Sequence, residues 1–196
     1  CLRVRVPLRM TKPSTTDRPM AETLTQHVAP AAALDAWARA LRTPALHDLP
    51  YTVETNAHGQ LLLTVHTPAH SRLQLQIVYL LNAHGPDDGA PEVEFAVETA
   101  EGIKGPDVVW ISDARYAQMP EGATACPVMP ELCVEVASTG NTAAELDAKR
   151  ALYLDGGAKE VWICDEDGRL RFFDTGGPRS ASALAPGMPA RVAPGR

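Results

Sequence analysis

Apolar residues along the chain recur first at helical spacing, then at strand spacing, and the succession predicts the architecture. The segment AAALDAWARALRT, residues 31–43, joins helix-forming composition to apolar recurrence at helical spacing, so it predicts a helix. GQLLLTVHT (59–67) predicts a strand. PAHSRLQLQIVYLLNAHG (68–85) predicts a second helix, with Leu73, Ile77, Leu80 and Leu81 on one face. After a turn rich in Pro, Gly and Asp, EVEFAVET (92–99) alternates with period two and DVVWIS (107–112) is a nearly continuous apolar run; both read as strands. ELCVEVAS (131–138) is another strand. It leads into TGNTAAELDAKRALYLDGGAK (139–159), a helix with Thr and Asn as cap candidates, apolar spacing at Leu146, Leu152 and Tyr153, and a Gly-Gly stop. EVWICDEDGRLRFFDT (160–175) reads as strand, Asp-Gly turn and strand. The order α, β, α, β, β, β, α, β, β predicts an α/β fold with a mixed central β-sheet flanked by helices.

The two ends break the pattern. Residues 1–24 form an aperiodic tail rich in Pro, Thr and Arg at its start, and residues 176–196 a flexible Pro-, Gly- and Ala-rich tail, leaving 25–175 as one domain of a 196-residue chain. Cys1 stands where an initiator Met would, so we expect an upstream extension or a fragment, with Met10 and Met20 as alternative starts. CLRVRVPLRM lacks the uninterrupted apolar core and cleavage site of a secretory signal. No apolar run approaches the ~18–20 residues that span a bilayer, so no membrane partner is expected and the chain reads as cytoplasmic.

Cysteine usage agrees with that compartment. Cys1, Cys126, Cys133 and Cys164 include no C-x-x-C pair and no nearby H-x-x-x-H partner, and Cys133 and Cys164 lie in apolar runs as core thiols would. The formal charge of −6 argues against a protein that coats nucleic acid non-specifically, without excluding a local basic cleft. No Gly-rich phosphate loop and no G-x-S-x-G elbow occurs, and the six His fall mostly in loop-like contexts.

Against this background a few polar residues stand out. Asp107 sits at the mouth of the apolar strand VVWIS, although Pro86-Asp87 repeats its Pro-Asp dipeptide in a turn. Glu135 interrupts Leu132-Cys133-Val134-Glu135-Val136, and a carboxylate there is costly to bury unless it is paired or holds a metal. By period two it shares a face with Cys133 and Ala137, a face that is either solvated or a site. On the following helix Glu145, Lys149 and Tyr153 lie on one stripe; Glu145 and Lys149 read equally as an exposed ion pair or as part of the constellation. Two carboxylates at strand ends with a nearby lysine suit a metal-dependent phosphodiesterase. Hard oxygen ligands hold Mg²⁺, the ion offsets charge on the scissile phosphate, and the ammonium orients or deprotonates water.

GPDVVWIS, followed by PELCVEVASTGNTAAELDAKRALYLDGGAKEVWICD, resembles the Uma2 family of bacterial proteins. GQLLLTVHTPAHSRLQLQI is similar to that family's Gly-Glu-Leu strand and Ser-Pro-x-x-H helix start, with His70 at the His position, so the resemblance spans about residues 50–175. It implies a restriction-endonuclease-like fold of the PD-(D/E)xK superfamily. Carried over, Asp107 and Glu135 become metal ligands, with the Val136 carbonyl as a candidate third. Ala137 stands where the superfamily's strand lysine would be, and Lys149 on the next helix supplies the missing cation. Glu145, Tyr153 and His70 are candidate supporting residues, His70 reading more simply as a polar helix start. Departures are Glu145 for the usual Asp, Ser138-Thr139-Gly140-Asn141 for Ser-Pro-Ser-Thr, and Val161-Trp162 for Tyr-Trp.

The reading that follows is a Mg²⁺- or Mn²⁺-dependent endonuclease hydrolysing DNA phosphodiesters with Asp107, Glu135 and Lys149 as catalytic residues. A homodimer would suit an enzyme that cuts both strands. The alternative is a catalytically inactive nuclease-fold protein serving as a DNA-binding or protein-interaction module, which the acidic charge favours.

Overall fold

A computed structural model describes residues 26–47, 51–138 and 140–193. The expected N-terminal tail, its alternative starts and Cys1 lie outside the described residues. Helix α1 (Ala31–Leu41) buries an alanine face of Ala33, Ala36 and Ala40 and is followed by the short α2 (Pro44–His47). A hairpin of β1 (Tyr51–Thr55) and β2 (Leu61–Val65) comes next, closed by a turn in which the Asn56 side chain accepts from the backbone N–H groups of His58 and Gln60. Helix α3 (Pro68–His84) begins at Thr67, whose hydroxyl accepts from the His70 N–H at 3.2 Å, with Pro68 at the first helical position.

The remaining elements are β3 (Gly89–Val93), β4 (Val97–Thr99), β5 (Gly102–Lys104), β6 (Val108–Ser112), α4 (Asp113–Tyr116), β7 (Leu132–Val136), α5 (Ala143–Asp155), β8 (Glu160–Cys164), β9 (Leu170–Asp174) and β10 (Gly177–Arg179). Six strands form one mixed sheet in the order β10-β9-β8-β7-β6-β3. Only β7 and β8 run parallel, and α5 is the crossover such a pair requires. Pro91 is tolerated because β3 is an edge strand. The expected α/β fold with helices flanking a mixed sheet is therefore present.

Both faces of the central strands are covered. On one side Leu73, Ile77 and Leu81 of α3 pack against Val108, Trp110, Leu132, Val134 and Trp162. On the other, Leu146 and Tyr153 of α5 pack against Val109, Cys133, Val161 and Ile163. The face that Glu135 shares with Cys133 is thus not solvated. Cys126, Cys133 and Cys164 are buried free thiols, as their apolar surroundings predicted.

Two expectations are corrected. EVEFAVET is not one strand: Glu94 takes φ of 49°, which turns the chain, so β3 joins the main sheet while β4 pairs with β5 in a separate hairpin. Gly102 opens β5, the second strand of that hairpin, with φ of 105°, and a Cβ there would meet the Thr55 carbonyl at 2.6 Å, so the hairpin packs closely on β1. Residues 176–193 also form no tail. β10 extends the sheet, Ala185, Met188 and Val192 are buried in the α3-side core, and the Val192 N–H donates to the Gly168 carbonyl at 2.7 Å. Small and Pro-rich composition produced no periodicity there, yet the segment buries three apolar side chains.

Helix α5 opens on a full capping box: the Thr142 hydroxyl accepts from the Glu145 N–H at 3.2 Å, and the Glu145 carboxylate accepts from the Thr142 N–H at 2.7 Å. Thr142→Ala is expected to lower stability by about 1 kcal/mol, read as a reduced urea midpoint at unchanged slope. An unchanged midpoint would mean that packing alone fixes this end of the helix.

Candidate active site

The sheet register places the two strand carboxylates together. Val108 pairs with Val134 across the antiparallel β6–β7 ladder, so one step further Asp107 comes opposite Glu135. The Val136 N–H donates to Asp107 Oδ2 at 2.7 Å, closing the two strand ends on each other. Asp107 is further held by His70 Nε2 at 3.2 Å from Oδ2 and by the Gln74 amide, which donates to Oδ1 at 3.2 Å and to the Asp107 carbonyl at 3.3 Å. His70 and Gln74 are one helical turn apart at the start of α3, so that helix presents two polar groups to one carboxylate. The Val136 N–H thus holds Asp107, and the backbone of Val136 lies against His70 as well.

Glu135 receives its partners from α5. Tyr153 donates its hydroxyl to Oε1 at 2.7 Å, and Lys149 reaches Oε2 at 3.2 Å and Oε1 at 3.3 Å. Their spacing of four residues puts both on the turn that faces β7. Burial pushes Glu135 up to about 7, and the carboxylates of Asp107 and Glu54 push the same way while the Lys149 ammonium opposes them. Lys149 itself is held above the ordinary lysine range: burial would lower it, but the charges of Glu135 and Glu54 outweigh that. Tyr153 is raised well above its usual value by burial and the Glu135 charge.

Glu145 is not part of this cluster. Its carboxylate is exposed and committed to the cap of α5, and that cap holds its pKa below the usual range. Neither of its expected roles applies, because Lys149 turns inward and away from the exposed pair that spacing suggested. The loop after β7 departs from the family's Ser-Pro-Ser-Thr, yet Asn141 holds it: the Ser138 N–H and hydroxyl both donate to Asn141 Oδ1, at 3.0 and 2.9 Å.

Two members of the site were absent from the expected set. Glu54, buried on β1, accepts from Lys149 at 2.8 Å and from the Gly105 N–H at 3.2 Å, so Lys149 bridges two carboxylates. His66 follows β2; its Nδ1 lies 2.9 Å from His70 Nδ1 and 3.8 Å from Asp107 Oδ1, while Nε2 lies 2.9 Å from the Thr52 hydroxyl. Desolvation lowers the His66 pKa, with His70 as the next cause. For His70, burial lowers the pKa, but the hydrogen bond and charge of Asp107 raise it by more. The available signal for His66 was the H-x-x-x-H spacing of His66-Thr67-Pro68-Ala69-His70, which lies far in sequence from every cysteine. For Glu54 the alternation of polar Thr52 and Glu54 with Val53 in YTVET was the cue, and an exposed strand shows the same alternation.

These side chains converge on one cleft lined also by Thr64, Gly105 and Ser138. Within it, His66, His70 and Asp107 place one ligand atom each within 4.8 Å of the others, a group able to hold a metal ion. No helix among the described residues is long and apolar enough to cross a membrane.

No curated protein matches the chain. The crystal structure titled as a "putative nuclease belonging to DUF820 from Anabaena variabilis ATCC 29413" superposes with a TM-score of 0.54 at 17% identity, covering 65% of this chain and 76% of that one; at that identity the likeness concerns the fold. The profile of the Uma2 family, described as "Putative restriction endonuclease", matches residues 43–183, which include every residue of the cleft. With most of its length so matched, the chain belongs to the Uma2 family.

Proposed function

We propose that the protein is a metal-dependent endonuclease that hydrolyses DNA phosphodiesters at the Asp107–Glu135–Lys149 cleft, using Mg²⁺ or Mn²⁺. The observation that carries this reading is the placement of Glu135 between Asp107 and Lys149 at the joined ends of β6 and β7. The donor set fits a divalent ion. Three buried carboxylates, Glu54, Asp107 and Glu135, cluster about the Lys149 ammonium, with Lys104 buried close enough to act on Glu54, so carboxylates still outnumber lysines in a low-dielectric setting. Asp107 and Glu135 would hold the ion, which supplies charge neutralisation at the scissile phosphate and a more acidic bound water.

The remaining roles belong to the chain. Lys149, fixed between two carboxylates, offers an ammonium where negative charge develops on the phosphate. Its place as a donor in two charged hydrogen bonds makes it a cation in the reaction rather than the group that removes the proton. Tyr153 fixes the Glu135 carboxylate, and Gln74 with the Val136 N–H fixes Asp107. Glu54 positions Lys149 from the side away from Glu135. DNA as the substrate and a homodimer as the assembly belong to the same reading; the β2 strand, exposed along its whole length with Leu61, Leu62, Leu63 and Val65, is the surface that favours self-association.

The acidic balance of the chain favours the inactive interaction module instead, and one assay separates the two. Wild type is expected to nick plasmid DNA with Mn²⁺ or Mg²⁺ and to stop in EDTA, while Lys149→Met retains the fold and loses about 10²-fold in rate. A folded wild type without metal-dependent cleavage on any DNA form would leave the module reading.

A further inference from the structure

The His66 imidazole serves no purpose that the carboxylate site requires, and His70, beyond its hydrogen bond to Asp107, brings a second ring nitrogen to His66. His66 sits at the end of β2 on a hairpin outside the main sheet, and His70 sits in the first turn of α3; Asp107 belongs to neither. Three separate elements therefore deliver ligand atoms to one point. The two Nδ1 atoms are 2.9 Å apart with the ring centroids 4.1 Å apart and the rings at 88°, a T-shaped arrangement in which the rings do not stack and the two nitrogens approach each other. A neutral His70 that donates through Nε2 to the Asp107 carboxylate has a bare Nδ1, and the short separation then needs one proton between the two rings. A metal ion can take the place of that proton, since ligating imidazoles are neutral and metal binding releases protons. The Thr52 hydroxyl at 2.9 Å from His66 Nε2 is the kind of outer partner that fixes the orientation of a ligating histidine.

We infer that His66 and His70 contribute nitrogen ligands beside Asp107, so that the cleft selects a later first-row transition ion such as Co²⁺ or Zn²⁺ over Mg²⁺. This rests on the proposal that Asp107 holds the catalytic ion, and it adds the class of ion. Mg²⁺ prefers oxygen ligands and dehydrates reluctantly, whereas imidazole suits the later first-row metals. It also gives the β1–β2 hairpin a function: through His66 the bound ion ties the hairpin to the sheet that carries Glu135.

The test is calorimetric titration of the full chain with Co²⁺ and with Mg²⁺, for wild type, His66→Gln and His66→Cys, with the visible spectrum of the Co²⁺ form recorded in parallel. Co²⁺ is expected to bind wild type about 10²-fold more tightly than Mg²⁺. His66→Gln should shrink that ratio at least about 10-fold. His66→Cys, which keeps a ligand suited to Co²⁺, should restore the preference and add a near-ultraviolet thiolate-to-metal absorption. Melting temperatures in EDTA identify any variant that fails to fold, and His66→Cys then remains the informative one. An equal Co²⁺ to Mg²⁺ ratio in wild type and His66→Gln, or a wild-type Co²⁺ spectrum untouched by either substitution, overturns the inference. Failure of the nuclease proposal is separable, because it shows as absent cleavage by wild type whichever ion is supplied, whatever the binding ratio.

Discussion

Replacing Glu135 with Gln is expected to slow metal-dependent DNA cleavage by about 10³-fold or more while leaving the protein folded. The isosteric amide keeps an oxygen for the Tyr153 hydroxyl, and Lys149 keeps its 2.8 Å partner in Glu54, so the packing between α5 and the sheet is preserved. What is lost is the formal charge. Glu135 is the carboxylate opposite Asp107, and a neutral oxygen there weakens the hold on a divalent ion and removes one of the charges that keep Lys149 in place. Loss of a single electrostatic group at a reacting centre commonly costs about 10²–10³ in rate, and this group acts on both the ion and the lysine. Rates measured across a range of Mn²⁺ concentrations separate weaker metal binding, which excess metal repairs, from a misplaced lysine, which it does not. A rate within about threefold of wild type at saturating metal would remove Glu135 from the mechanism.

How much of this site the sequence disclosed depended on the kind of position each residue occupies. Asp107 and Glu135 were legible because each is a charged residue in or beside a run of buried apolar ones, and burial there is costly enough to need a reason. Lys149 and Tyr153 were legible from helical spacing joined to the family resemblance, and the same spacing misassigned Glu145. The i, i+4 pairing rule treats Glu145 and Lys149 as neighbours, yet the N-terminal cap outcompetes it: the Glu145 carboxylate accepts from the N–H and hydroxyl of the cap residue Thr142 while Lys149 follows the buried carboxylates. Glu54 and His66 were not legible, because their strands are flanked by polar residues and nothing in a period-two pattern tells which side faces a cleft. The break at Glu94 was hidden for a related reason. Alternation continues straight through EVEFAVET, and only a residue with positive φ divides it between two sheets.

The C-terminal segment offers the sharpest test of what holds the fold itself, and Glu160→Ala is expected to cost about 4 kcal/mol of unfolding free energy. Glu160 is a buried carboxylate at the start of β8 with no apolar reason to be there. Its Oε1 accepts from the backbone N–H groups of Ala183 and Leu184 at 2.6 and 2.8 Å, and its Oε2 from the Ser182 hydroxyl at 2.7 Å and the Trp162 indole at 2.8 Å. One side chain thus anchors the segment that composition assigned to a tail and orients the largest side chain of the core. Truncation leaves those four donors without their acceptor, and each buried donor left unmade costs about 1–3 kcal/mol, reduced where water enters the vacated space. Urea denaturation followed by Trp fluorescence measures the loss, and Glu160→Gln should fall between Ala and wild type because it retains one oxygen. Val192, Met188 and Ala185 still have apolar surface to bury, so the mutant segment is expected to loosen before the sheet does, which limited proteolysis C-terminal to residue 180 would register. A loss below about 1 kcal/mol, with unchanged proteolysis, would mean that the apolar anchors dock the segment unaided and that Glu160 is held in place by the fold without stabilising it.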